Sequence, residues 1–83
     1  MKHNIVALFL KDECDQHVRS VLLRALQARR GSDSVEDFTF NRFNVRLDFS
    51  NNEVIVDDEL NPDYGECRLP IDDFESLITS VRW

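Results

Sequence analysis

The chain has 83 residues, enough for one small domain spanning 1–83, and it carries 16 acidic against 10 basic residues, a net charge of −6. A field of that sign repels nucleic acid and selects basic partners. With only two glycines, Gly31 and Gly65, it has no phosphate-cradling loop and no glycine turn for a hydrolase nucleophile.

Asn4 to Leu10, NIVALFL, is a continuous apolar run rich in β-branched and aromatic residues, and its length suits a buried strand. Only six apolar residues separate Asn4 from Lys11, too few for a membrane span and without a small-residue cleavage site. A cytoplasmic location with reduced thiols is therefore expected. A helix follows, from Asp12 or Glu13 to about Arg30, with Cys14, Val18, Val21, Leu22, Ala25, Leu26 and Ala28 on its apolar stripe. Asp12, Glu13 and Asp15 in its first turn and Arg29 and Arg30 in its last oppose the partial charge at each end. Gly31 fits the left-handed residue that closes a helix. Ser32 to Asp37 reads as a loop or a single helical turn, with Ser34 and Asp37 at capping-box spacing. Phe38 and Phe40 are out of phase with the strand that starts at Phe43. Either a bulge lies near Asn41 and Arg42, or the two rings belong to the loop and pack sideways.

The segment from Phe43 to Glu59 organises the rest. Phe43, Val45, Leu47 and Phe49 alternate with polar residues, Asn51-Asn52 suits a two-residue hairpin turn, and Val54 and Val56 continue the apolar face. That turn sets Phe49 opposite Val54, Leu47 opposite Val56 and Phe43 opposite Leu60, with Arg46 facing Asp57 as an opposite-charge pair. Asp58 falls on the inward face, and Ile55 is the apolar residue of an otherwise polar outer row. Asn61 to Gly65 is a turn, Glu66 to Leu69 a third strand of the meander, and Pro70 the start of a closing helix. Ile71, Phe74, Leu77, Ile78 and Val81 form that helix's stripe, with Trp83 covering the core edge. The expected fold is α+β in the order β-α-β-β-β-α, an antiparallel meander with two helices packed on one face.

Several constellations have plainer readings. Asp57, Asp58, Glu59, Asp63 and Glu66 lack the ligand spacing and central glycine of an EF-hand. Cys14 and His17, with Cys67 or His3, contain no C-x-x-C pair, and Cys14 belongs to an apolar stripe. Asp15, His17 and Ser20 lack an oxyanion site. Arg19, Arg24, Gln27, Arg29 and Arg30 make a basic helix face, but the chain around it is acidic and has no aromatic RNA-binding strand. No cofactor, no metal, no catalytic residue and no membrane or direct nucleic-acid contact is expected. Asp72 and Asp73 complement the dipole of the last helix and also extend the acidic surface. Tyr64 is either an exposed anchor among carboxylates or a ring folded back over the hairpin. Charge is unevenly spread: residues 48 to 75 hold ten acids and one base, Arg68, whereas residues 1 to 30 hold six bases and three acids.

The stretch VRLDFSNNEVIVDDELNPDYGECRLPIDDFESLI, within residues 43 to 80, resembles small acidic immunity proteins of bacterial contact-dependent growth inhibition and other polymorphic toxin systems. The hairpin VRLDF-SNN-EVIVDDE, the strand ECRLP and the helix start IDDF carry the likeness, while the N-terminal third carries no signature. The resemblance implies a non-enzymatic inhibitor that binds a cognate toxin domain, often a basic nuclease, with carboxylates in place of phosphates. The partner-binding residues it suggests are Asp48, Asp57, Glu59, Asp63, Tyr64 and Glu66, with Asp72 and Asp73 as a second tier. The alternative is a non-catalytic subunit or adaptor domain of a larger assembly, a homodimer included.

Overall fold

The computed structural model describes residues 5–12, 15–29, 31–40 and 42–80, the side chains of Arg29 and Pro62 apart. Their elements run α1 (Ile5–Asp12), α2 (Gln16–Arg29), β1 (Val35–Thr39), β2 (Phe43–Asp48), β3 (Glu53–Asp58), a 3-10 turn (Pro62–Tyr64), β4 (Glu66–Pro70) and α3 (Ile71–Ser80). The strands form one antiparallel sheet in sequence order, β1-β2-β3-β4. The class is α+β, as the patterning indicates. The element order differs from expectation at two places, both in the N-terminal half.

The first apolar run is a helix. Ile5, Val6 and Phe9 are buried while Ala7 is exposed, a spacing of one, three and four that belongs to a helical stripe. A short apolar run fits either element by pattern alone. Here its outlet is the face of a sheet already supplied with four strands, where it packs against β3 and β4. The fourth strand comes instead from the Ser32–Asp37 region, of which Val35 to Asp37 open β1. Its alternation of exposed and half-buried residues carries little apolar signal, because β1 is an edge strand. Phe38 pairs with Val45 on the inward side, and Phe40 donates its N–H to the carbonyl of Phe43 at 2.9 Å. The change of phase is therefore a chain reversal between two strands, and Phe38 and Phe40 stack at 6.3 Å against the core.

α2 opens later than expected. Asp15 is its cap: Oδ1 accepts from the Val18 N–H at 2.9 Å, and its carbonyl from the Arg19 N–H at 2.9 Å. Val18, Leu22 and Leu26 are its buried stripe, and Ala28 is exposed. Gly31 takes φ +90°, as a helix-closing residue does. Arg19 donates Nε to the Ile78 carbonyl at 3.2 Å, which ties α2 to the C-terminal end of α3. Cys14, Glu13, Arg30, His3, Asn41, Val81 and Trp83 lie outside the described residues.

The hairpin keeps its faces but shifts its register by two. Phe43 faces Asp58, Val45 faces Val56, Leu47 faces Val54 and Arg46 faces Ile55. The loop is four residues, Phe49 to Asn52, and of the expected Asn51-Asn52 pair only Asn52 takes a positive φ, 56°. A two-residue shift leaves every side chain on its own side, so the apolar pattern cannot choose between the registers. Asp48 chooses: its carboxylate accepts from the Asn51 N–H at 3.1 Å and from Asn51 Nδ2 at 2.9 Å, which closes the longer loop. All four expected cross-strand pairs are replaced: Val54 faces Leu47 rather than Phe49, and Val56 faces Val45 rather than Leu47. Leu60 is 70% exposed rather than opposite Phe43, and Arg46 meets Asp37 of β1 rather than Asp57, Nε to Oδ1 at 2.7 Å.

All three helices cover one side of the sheet. Phe43, Val45, Leu47, Val54 and Val56 point into a cluster with Ile5, Val6, Phe9, Val18, Leu22, Leu26, Ile71, Phe74 and Ile78. Each such side chain contributes about 1.5–3 kcal/mol relative to exposure. Phe9 sits at its middle, with ring centroids 5.7 Å from Phe43, 6.1 Å from Phe40 and 6.3 Å from Phe74. No helix among the described residues is long and apolar enough to cross a membrane.

Candidate protein-binding surface

The strand period that buries one face leaves the other open. Register places Asp37 and Thr39 of β1, Asn44 and Arg46 of β2, Glu53, Ile55 and Asp57 of β3, and Glu66 and Arg68 of β4 on the outer side. Several of them, with Phe38 and Val45 at its base, line a shallow depression of about 430 Å³. Two rows cross it. One runs Asp37–Arg46–Ile55–Arg68, the other Thr39–Asn44–Asp57–Glu66.

Both guanidinium groups in the first row are ion-paired. Arg46 contacts Asp37 at 2.7 Å, and that carboxylate raises its already high pKa. Arg68 contacts Glu53 at 3.0 Å and Glu66 at 3.2 Å. All these groups but the half-buried Glu53 are substantially exposed, and each pair is worth only about 0–1 kcal/mol. In the second row Thr39 donates to Asn44 Oδ1 at 2.9 Å. Asp57 follows, and its Oδ1 is covered yet accepts no hydrogen bond.

Beyond Asp57 the chain turns through a loop built on a buried carboxylate. Asp58 is 1% exposed. It accepts from Arg42 (Nη2 at 2.7 Å, Nε at 2.9 Å), from the Leu60 N–H at 3.0 Å and from Asn61 Nδ2 at 3.0 Å. The Arg42 hydrogen bonds, then those of Asn61 and Leu60, lower its pKa from 3.8 to about 2 against the effect of burial. Arg42 is itself held over the Phe43 ring at 5.0 Å and lies 3.4 Å from Asp12, which draws the α1 end to the loop. Glu59 donates its N–H to the Arg42 carbonyl at 2.8 Å. The result is a fixed loop that carries Glu59, Leu60 and Asp63 outward, all three exposed.

The eight residues suggested by sequence fall into two groups. Asp57, Glu59, Asp63 and Glu66 gather at the end of the sheet where β3 gives way to β4, with Tyr64 half-buried and packed against the core beside them. Its ring takes the folded-back alternative. Asp72 and Asp73, exposed in the first turn of α3, belong to the opposite end, where Ile71 N–H reaches the Asn52 carbonyl at 3.3 Å. The two ends are separated by the length of β3, roughly 17 Å. Asp48 lies at that far end and is 8% exposed, its carboxylate engaged by the Asn51 amide groups, which hold its pKa below the usual value. Little of its surface is exposed, and each of its oxygens already accepts a hydrogen bond within the loop.

Other candidates are placed as follows. Cys67 is half-buried against the core side of the sheet, while His17 and Ser20 are exposed on α2 and Asp15 serves as that helix's cap. No group of three metal-ligating side chains comes together among the described residues. Of the basic helix face, Arg24 and Gln27 are exposed and Arg19 is tied to α3.

Sequence reasoning missed Leu60 as a surface residue and Asp58 as the builder of its loop. The signal was present in duplicate. Asp48 and Asp58 each end a strand, each is followed by Asn three residues on, and each takes that Asn side-chain amide and a loop N–H. Asp-x-x-Asn after an alternating run is a loop with its own internal acceptor. Comparison with models of known protein families, with curated proteins and with solved structures found no match.

Proposed function

We propose that this chain is an immunity protein, a non-catalytic binding protein of the bacterial cytoplasm that neutralises a cognate toxin domain, a basic nuclease, through its acidic surface. The observation that carries this reading is the segregation of charge: ten acids against one base within residues 48 to 75. Four of those acids, Asp57, Glu59, Asp63 and Glu66, lie at one end of a sheet face that the helices leave open. The exposed Leu60, in the loop that carries Glu59 and Asp63, adds an apolar side chain to the same end. Carboxylates in such a row meet the Lys and Arg that a nuclease uses for phosphates, and long-range attraction speeds capture.

A second reading, a subunit or adaptor that self-associates, draws on the sheet edges. β1 and β4 are outermost strands, and Val35 on β1 is 48% exposed.

Co-expression separates the two. The tagged protein is produced with the domain encoded immediately upstream of its gene, and complex formation and growth are measured at low and high salt. A one-to-one complex, rescued growth and association that slows as screening shortens to about 8–10 Å and below support immunity. No complex, no rescue and a stable self-associated species would transfer the assignment to the subunit reading. Reversal of Asp57 and Glu59 to Lys tests the acidic end directly, and unchanged binding would refute its role.

A further inference from the structure

The two outer strands of the sheet do not end it in the same way. At β1 the Phe40 N–H reaches the Phe43 carbonyl at 2.9 Å, and the Ser34 carbonyl receives the Phe49 N–H at 3.0 Å. Both pairs continue the register that sets Val35 opposite Asp48 and Thr39 opposite Asn44. Backbone groups of an antiparallel strand alternate between its two sides. The even-numbered residues of β1 therefore bond to β2, and Val35, Asp37 and Thr39 turn their N–H and C=O groups away from it. All three residues are exposed. At β4 the Ile71 N–H reaches the Asn52 carbonyl at 3.3 Å, so the outward set is Glu66, Arg68 and Pro70. Pro70 has no N–H to offer, and α3 begins directly after it. β1 contains neither the proline nor the lysine that commonly blunts an edge.

We infer that the free edge of β1 receives an extended strand of a basic partner protein, which lengthens the sheet through main-chain hydrogen bonds to Val35, Asp37 and Thr39. This rests on the reading that the chain binds a basic protein domain. Outward donors and acceptors at strand spacing are what another extended backbone matches. Charge then chooses among strands. Residues 32 to 40 hold three acids, Asp33, Glu36 and Asp37, and no base. A second copy would set the same acids against them, whereas Lys or Arg on an incoming strand meets opposite charge. Asp37 is already held by Arg46 at 2.7 Å, so the main chain of that residue, not its carboxylate, makes the contact. Val35, 48% exposed, and the half-buried Phe38 offer an apolar side chain to each face of the added strand.

The probe is a heptapeptide of alternating lysine and valine, acetylated and amidated, titrated into the isotope-labelled protein and followed by NMR. Two controls separate backbone from charge. The same peptide N-methylated at every residue keeps the lysines and loses the donors; a glutamate–valine peptide keeps the donors and reverses the charge. In the free protein the amides of Val35, Asp37 and Thr39 are expected to exchange with solvent fast, and those of Glu36, Phe38 and Phe40 slowly. The lysine peptide should give saturable shifts at Val35, Asp37 and Thr39 and slow their exchange about tenfold or more, with each control binding at least about tenfold more weakly. Protection of those three amides in the free monomer, no saturable shifts, equal binding of the N-methylated peptide, or shifts centred on Glu66 and Arg68 or on Glu59 to Asp63 would overturn the inference. A dimer in sedimentation, with the same three amides protected, would overturn it in favour of a second copy. Val35→Pro carries the test into the complex: at the first position of an edge strand it removes one outward N–H and no bond to β2. Capture of the co-expressed domain is expected to weaken about tenfold or more, and the titration of the unaltered protein decides the edge if that variant does not fold. A wild-type complex that folded Val35→Pro leaves equally tight refutes the strand site alone. A wild-type protein that forms no complex refutes the immunity reading, while the titration still decides the edge.

Discussion

Phe9→Ala tests the least expected element of the fold. In the structure Phe9 is fully buried at the junction of α1 with β2 and α3, and three rings lie within 5.7 to 6.3 Å of its own. Truncating a buried Phe costs about 3–5 kcal/mol. Three aromatic pairs, each worth about 0.5–1.5 kcal/mol beyond area, place this case near the top of that range, about 4–5 kcal/mol. A chain of 83 residues has a total stability of roughly 4–12 kcal/mol. The variant is therefore expected to lose between a third and all of it, with Tm lower by roughly 20–30 °C. Urea unfolding followed by far-ultraviolet circular dichroism measures this. The companion variant is Ala7→Lys. A strand would set Ala7 on the same buried face as Ile5 and Phe9, whereas α1 exposes it. In the helix Ala7→Lys stays within about 0.5 kcal/mol of the parent. A loss below about 2 kcal/mol for Phe9→Ala, or a comparable loss for Ala7→Lys, would refute the packing described for α1.

The loops supply further tests. Because the Asp58 pKa is depressed from 3.8 to about 2, its contribution is fully present above pH 4 and is lost as pH falls toward 2. Asp58→Asn should be less stable than the parent at pH 7 and should approach it at pH 2, read as the midpoint of urea unfolding; a gap independent of pH would exclude the Arg42–Asp58 pair as its cause. Asn52 at φ 56° is where a β-branched residue is strained: Asn52→Val should cost about 1–2 kcal/mol and Asn52→Gly less than about 0.5 kcal/mol by chemical denaturation. Leu60→Ala, at a position 70% exposed, should leave stability within about 0.5 kcal/mol while it weakens partner capture at least tenfold in the co-expressed complex.

Local chemistry determined much of this protein without reference to the rest of the chain. The alternation from Phe43 to Val56 assigned two strands and their buried sides, and helical spacing assigned α2 and α3. Gly31 marked the end of α2, and the acidic excess after residue 48 is a property of composition alone. Three things were decided only by tertiary structure. NIVALFL is apolar on every side, so its own pattern does not distinguish a strand from a helix; the sheet face that it covers does. The hairpin register is degenerate under a two-residue shift, and the Asp48 contacts with Asn51 remove the degeneracy. The acidic surface divides for the same kind of reason. Charge counted along the chain cannot tell a carboxylate that closes a loop from one that faces a partner. The carboxylates of Asp48 and Asp58 are engaged by donors supplied three residues later, whereas Asp57 and Glu66 are brought face to face by a ladder that joins residues nine apart.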